Sequence, residues 1–175
     1  ILVNDGVYEP ITTDNKAVTI LSVNGAEKTI IDGGWIERCA TMGDNDSERN
    51  SVLEGFTLQN GNAFKGGGVF GGTLRHCTLK GNRARSIWGL GWGWGGGAYD
   101  CSLTNCTLTG NKASEGGGAC YSTLTDCILI SNSALTSYYD EISYGGGAYY
   151  CTLTNCTISK NLAEDYGGGT YGGTL

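Results

Sequence analysis

Five leucine-anchored phrases, spaced 21 or 29 residues apart, constrain what this chain can fold into. Leu53, Leu74, Leu103, Leu124 and Leu153 are each followed three residues later by Phe56, Cys77, Cys106, Cys127 and Cys156 in turn. Two residues further on come Leu58, Leu79, Leu108, Leu129 and Ile158. Then follow Gly61, Asn82, Asn111, Asn132 and Asn161, and after them Ala63, Ala84, Ala113, Ala134 and Ala163. A Gly-Gly-Gly run closes each phrase, and Leu175 opens another copy 22 residues after Leu153. A fixed period of this size marks a repeat architecture.

The period selects the kind of repeat. Twenty-one extended residues trace roughly 70 Å at about 3.3 Å each, too long for a hairpin and suited to one turn of a parallel β-solenoid. Successive coils then stack about 4.8 Å apart, which puts equivalent residues into ladders. Leu, Cys, Leu and Ala are expected to alternate inward as the core. The odd spacing between Leu103 and Cys106 implies a bend at residues 104–105. The asparagines fit a turn in which each side-chain amide bonds its neighbour above and nearby backbone groups. The glycine triplet fits a crowded corner. Phe70, Tyr99, Tyr149 and Tyr171 have two readings: alternation back from the leucine points them inward, whereas the small Val69, Ala98, Ala119 and Ala148 beside them point them outward.

Composition agrees with an ordered, all-β chain. Glycine makes up 31 of 175 residues and proline one, without a Gly-X-Y period, which excludes collagen and a proline-rich linker. Charged residues are 16%, too few for a disordered polyelectrolyte. The net charge of −6 offers no footprint for nucleic acid or anionic lipid. There is no 18-residue apolar run that could span a membrane. No window has a sustained helical period, so almost no helix is expected. Ahead of the repeats, residues 1–3, 18–23 and 29–31 read as strands bounded by Asn4-Asp5-Gly6, Asn24-Gly25 and Asp32-Gly33-Gly34. A further short strand is expected around Cys39 to Met42, before a polar loop. The whole predicts one right-handed parallel β-helix of about seven coils over residues 1–175, irregular over 1–50 and regular over 51–175. Ends that stop within a repeat suggest a segment of a longer chain.

Residues 145–161, Gly-Gly-Gly-Ala-Tyr-Tyr-Cys-Thr-Leu-Thr-Asn-Cys-Thr-Ile-Ser-Lys-Asn, resemble the right-handed parallel β-helix repeats of bacterial secreted and surface proteins. Residues 54–62 are similar to the first full coil of such proteins, and residues 29–33 to the strand and turn before it. The resemblance implies an extracellular or cell-surface location. It leaves activity open, because the same fold carries polysaccharide lyases, glycosidases, adhesins and polymorphic outer-membrane proteins.

The two 29-residue coils each carry eight extra residues, between the alanine and the glycine corner. The first insertion spans 85–94 with Trp88, Trp92 and Trp94; the second spans 135–144 with Tyr138, Tyr139, Asp140, Glu141 and Tyr144. They fall on one edge, two coils apart. Glu115, Glu164, Asp165 and Tyr166 join that edge from the shorter coils. Insertions on one edge of a solenoid often form its binding face. This edge is therefore a candidate surface for polysaccharide or for another surface protein. The competing reading is that the insertions pack their own aromatics on the coil.

Catalytic chemistry is poorly represented. Glycoside hydrolysis needs two carboxylates at a set separation, and the expected outer strand positions are mostly Thr, Ser, Lys and Asn. No residue is assigned as catalytic. His76 stands alone, which gives no support to a histidine metal site or a nucleophilic triad. Asp44, Asp46 and Glu48 alternate like part of a Ca²⁺ loop but lack its glycine and its late glutamate, leaving Ca²⁺ as the one cofactor to consider. The eight cysteines contain no Cys-x-x-Cys pair, and in-register thiols point the same way, so buried free thiols are expected. The expected function is a non-enzymatic structural or adhesive repeat segment, a stalk or fibre that continues into or self-associates with the same repeat. The alternative is a carbohydrate-active enzyme or carbohydrate-binding module on the same fold.

Overall fold

A computed structural model describes residues 1–14, 16–43, 51–85, 93–136 and 142–175. Within them the chain is all β and coils as a right-handed parallel β-helix. Every strand pairing given is parallel, and each joins a strand to its counterpart one coil away. One ladder is a seven-stranded sheet running from Gly6–Tyr8 through Thr29–Asp32, Thr57–Gln59, Thr78–Lys80, Thr107–Thr109 and Ile128–Ile130 to Thr157–Ser159. A five-stranded ladder runs from Asn62–Ala63 to Leu162–Ala163. The remaining strands form two runs, one through the leucines and one through the residues after the glycine corner; Ala148–Thr154 joins the two. The expected strands at 1–3, 18–23 and 39–42 are present, trimmed at their ends, and that at 29–31 extends by one residue to Asp32. Gly6–Tyr8 and Ile11–Thr12 are strands that the turn-forming Asn4-Asp5-Gly6 and Pro10 concealed.

The inward ladders are those the repeat predicts. Leu53, Leu74, Leu103, Leu124 and Leu153 are buried, as are Phe56, Cys77, Cys106 and Cys127. Leu58, Leu79, Leu108 and Leu129 face them across the coil. Val69, Ala98, Ala119 and Ala148 also point inward, which settles the aromatic question: Phe70, Tyr99, Tyr149 and Tyr171 lie on the outside. Towards the N-terminal end the core opens into an apolar cavity of about 220 Å³ lined by Ile1, Val3, Tyr8, Ile11, Ile20, Ile31 and Phe56.

The regular coils turn at residues in the left-handed conformation. His76, Asn105, Asp126 and Asn155 have φ of 51–54°, and this is the bend expected between the leucine and the cysteine. A second corner uses Gly81, Gly110, Ser131 and Lys160. Next to it the asparagine ladder is continuous. Asn111 donates from Nδ2 to Leu79 O at 2.9 Å and to Asn132 Oδ1 at 3.0 Å. Its own Oδ1 accepts from Asn82 N and Asn82 Nδ2. The ladder satisfies buried backbone groups where the strands end. At the glycine corner, a Cβ on Gly117 would lie 2.3 Å from Ser133 O and 2.5 Å from Gly146 O. Only a residue without a side chain fits there, because the chain lies directly against the backbone of the next coil.

The cysteines act as small core residues with a weak donor. Cys77, Cys106, Cys127 and Cys156 each donate S–H to the carbonyl two residues back, at 3.2–3.4 Å. That carbonyl also accepts a backbone N–H from the preceding coil, as Thr104 O does from His76 N at 3.1 Å, so the thiol adds a second, weak donor at the bend.

Candidate functional site

Two outward ladders flank the glycine corner. Lys65, Trp94, Glu115, Tyr144 and Tyr166 are joined by successive parallel bridges. Phe70, Tyr99, Cys120, Tyr149 and Tyr171 occupy the same place after the corner. The corner is bare glycine, so the side chains of the two ladders meet over it. Trp94 and Tyr99 have ring centroids 6.5 Å apart; Tyr144 lies 5.9 Å from Tyr149 and 4.6 Å from Tyr171. Within a ladder the rings stack: Phe70 on Tyr99 at 5.5 Å and 11°, Tyr149 on Tyr171 at 5.9 Å and 9°, Tyr144 on Tyr166 at 5.5 Å and 16°. Stacked rings cover one another's faces and turn their edges and hydroxyls to solvent.

Cys120 interrupts the second ladder, and its neighbour repairs it. Tyr121 has a left-handed backbone, φ 49°, and turns its ring into the gap. It stands edge-on to Tyr99 and to Tyr149, 5.8 Å from each and at 78° to both. Tyr150, one coil on, stacks against Tyr121 at 6.0 Å. Tyr150 also lies where Gly172 has no Cβ to obstruct it. The result is one aromatic strip along the coil axis, with Tyr121, Tyr150 and Tyr166 about half exposed.

Cations seat at one end of the strip. The Lys65 ammonium lies 5.0 Å from the Trp94 ring and 5.1 Å from the Tyr99 ring. Arg38 lies 5.2 Å from the Phe70 ring and donates to the Lys65 and Gly66 carbonyls. Such contacts contribute about 0.5–1 kcal/mol at exposed sites. Glu115 acts on the tyrosines further along. Burial, and after it the negative charge of Glu115, hold the Tyr149 phenol well above the ordinary tyrosine range. Burial first, with Cys120 and Glu115 following, raises the Tyr121 phenol in the same direction.

The residues expected to form a binding edge divide three ways. Trp94 and Tyr144 are ladder residues of the strip rather than parts of projecting loops, which agrees with self-packing for these two. Glu164 and Asp165 are engaged at the foot of the second insertion. Glu164 accepts from Thr136 N at 2.7 Å and from the Thr136 hydroxyl, and these bonds hold its carboxyl below the usual range. Asp165 accepts from Ser143 N and Oγ at 2.8 and 2.9 Å. Trp88, Trp92, Tyr138, Tyr139, Asp140 and Glu141 lie outside the described residues, as do Asp44, Asp46 and Glu48.

Other acids serve the fold. Asp32 accepts from Gln59, Asn60 and Gly34; burial raises its carboxyl, but these bonds together lower it further. Asp126 accepts from Asn155 one coil on. His76 is an exposed corner residue. The sequence concealed the role of Tyr121 and of the two cations. The signal was the order Ala119-Cys120-Tyr121 against Ala98-Tyr99-Asp100, where the ring moves by one position.

With the strip and corners in place, the similarities of the chain can be read on the coil. The family model of the Chlamydia polymorphic membrane protein repeat matches residues 105–123. That stretch runs from the Asn105 bend through Asn111 and the glycine corner to Thr123, one circuit of the coil. No curated protein matches the chain. No solved structure matches it either. Among the described residues no helix is long and apolar enough to cross a membrane.

Proposed function

We propose that this chain is a structural and adhesive segment of a secreted or cell-surface protein, a single β-helix domain over residues 1–175 that works by contact and catalyses no reaction. The aromatic strip carries the reading. It spends tyrosine and tryptophan on the outside of a coil whose core is already filled by aliphatic and cysteine ladders. Tyrosine and tryptophan give a contact surface rigid, amphipathic area with few torsions to fix. The similarity to a surface-protein repeat supports the extracellular location.

A protein partner fits better than a stacked sugar. Sugars are gripped on open ring faces, and the ladder rings lie at 9–16° to their neighbours with those faces covered. Carbohydrate binding is the second reading, favoured by the half-exposed Tyr121, Tyr150 and Tyr166.

The test is binding of beads coated with residues 1–175 to cultured epithelial cells, alongside a glycan array and assays for polysaccharide cleavage. Saturable cell binding that falls at least tenfold in Tyr121→Ser/Tyr150→Ser/Tyr166→Ser, with the melting curve retained, supports the proposal. Cleavage products, or cell binding indifferent to these substitutions, overturns it.

A further inference from the structure

Four thiols stand in one column inside the coil. The pairings of Leu74, Leu103, Leu124 and Leu153 on one side, and of Thr78, Thr107, Ile128 and Thr157 on the other, hold Cys77, Cys106, Cys127 and Cys156 in register. All four are free thiols. Cys77, Cys106 and Cys127 are buried, and Cys156, nearest the C-terminal end, is partly open. Phe56 closes the other end of the column.

The spacing is wrong for a disulfide and right for a metal. Stacked coils repeat at about 4.8 Å. A disulfide needs its sulfurs at about 2.05 Å, so both side chains would have to leave the inward direction they share. A two-coordinate ion needs its sulfurs roughly 4.6 Å apart, twice a metal–thiolate bond of about 2.3 Å. Side chains held in register share one inward direction, so their sulfurs repeat along the coil axis at the coil spacing. An ion held between two successive sulfurs would lie on that line. Soft thiolate sites of this kind select ions such as Cu(I).

We propose that this column binds soft monovalent metal ions, Cu(I) being the test case, each held linearly between thiolates of successive coils. One ion sits between Cys77 and Cys106 and a second between Cys127 and Cys156. Each uptake breaks two S–H bonds, forms two metal–sulfur bonds and releases two protons to solvent, with no electron transferred. The other four cysteines stand outside this column: Ser122 lies between Cys101 and Cys151 in theirs, Cys120 lies in the aromatic ladder between Tyr99 and Tyr149, and Cys39 contacts Gln59 and Asn82.

The test is titration of the reduced chain, without oxygen, with Cu(I) supplied as its acetonitrile complex against a chromophoric Cu(I) chelator. The expected result is two ions retained per chain, about two protons released per ion, and X-ray absorption showing two sulfurs per copper. Cys106→Ser should retain one ion, Cys106→Ser/Cys127→Ser none, and the chain with Cys39, Cys101, Cys120 and Cys151 all replaced by serine should retain two. Circular dichroism checks that each variant folds, and the absorption result on the unaltered chain decides the matter whether or not they do. Copper left wholly with the chelator, three or four sulfurs per copper, or two ions retained by a folded Cys106→Ser/Cys127→Ser chain would overturn the proposal.

Discussion

The Oδ1 of Asn111 accepts two hydrogen bonds from one residue, Asn82: the backbone N–H at 2.9 Å and Nδ2 at 3.1 Å. The two residues are 29 apart in sequence and adjacent in the coil. Replacing Asn111 by alanine leaves buried groups unpaired on both neighbouring coils. Each such group costs about 1–3 kcal/mol, so Asn111→Ala should lose about 4 kcal/mol in a urea unfolding curve. Asn161→Ala, at the half-buried end of the ladder, should lose less than half of that because water can replace the amide.

The aromatic strip makes a prediction that depends on order rather than composition. Tyr121→Ala removes two edge-to-face contacts and one stack, and should cost about 1–2 kcal/mol. Adding a ring at the regular position should repair the damage. Cys120→Tyr/Tyr121→Asp, which restores the Ala98-Tyr99-Asp100 phrase, should unfold within about 1 kcal/mol of the unaltered chain. Equal losses in the two variants would show that Tyr121 does not complete the ladder.

Two glycine substitutions separate crowding from backbone conformation. Gly117→Ala drives a Cβ into the backbone of the next coil and should cost about 3 kcal/mol or more. Gly110, φ 64°, would place its Cβ no closer than 4.0 Å to a neighbour, Gly81 N. Gly110→Ala should cost only about 1 kcal/mol, the left-handed penalty alone. Thermal melts of the two variants make the comparison.

Buried thiols make the fold sensitive to alkali. Burial is the main cause that pushes the Cys39 thiol up to about 12 and that of Cys151 up to about 11, from an unperturbed 9.0. A raised thiol leaves stability intact below pH 9, where both folded and unfolded chains keep the proton. Above it the unfolded chain ionises first, so this stability declines through pH 9–12. The melting temperature should fall across that window. At pH 8 the native chain should react with an aromatic disulfide at Cys156 first, the other thiols following only on unfolding.

What the sequence made legible follows from what a period can encode. The leucine, cysteine and asparagine ladders were readable because an in-register stack requires the same residue at the same phase in every coil. The corners were readable for a similar reason, since Gly117 and its equivalents admit nothing larger. The direction of Tyr99 was not readable: alternation and the small size of Ala98 disagree, and the corner at Asp100, φ 59°, breaks the alternation. The insertions were correctly placed between Ala84 and the glycine corner, but Trp94 and Tyr144 are ladder residues just beyond them. Lys65 could not be matched to Trp94 from sequence, because a cation over a ring leaves no periodic trace. The function of the strip is hidden for a further reason. A partner selects a surface, and the repeat records only the requirements of the core.

Those requirements predict that the insertions can be removed. Deleting residues 85–92 and 135–142 joins Ala84 to Gly93 and Ala134 to Ser143, giving both coils the 21-residue form of the coil that contains Ala113, Ser114 and Glu115. The most direct measurement is the urea unfolding curve of this doubly shortened chain, followed by far-ultraviolet circular dichroism. A single cooperative transition with a midpoint close to that of the unaltered chain is the predicted result. A chain without β signal, or without a cooperative transition, would contradict the account of the repeat as a self-sufficient stacking code.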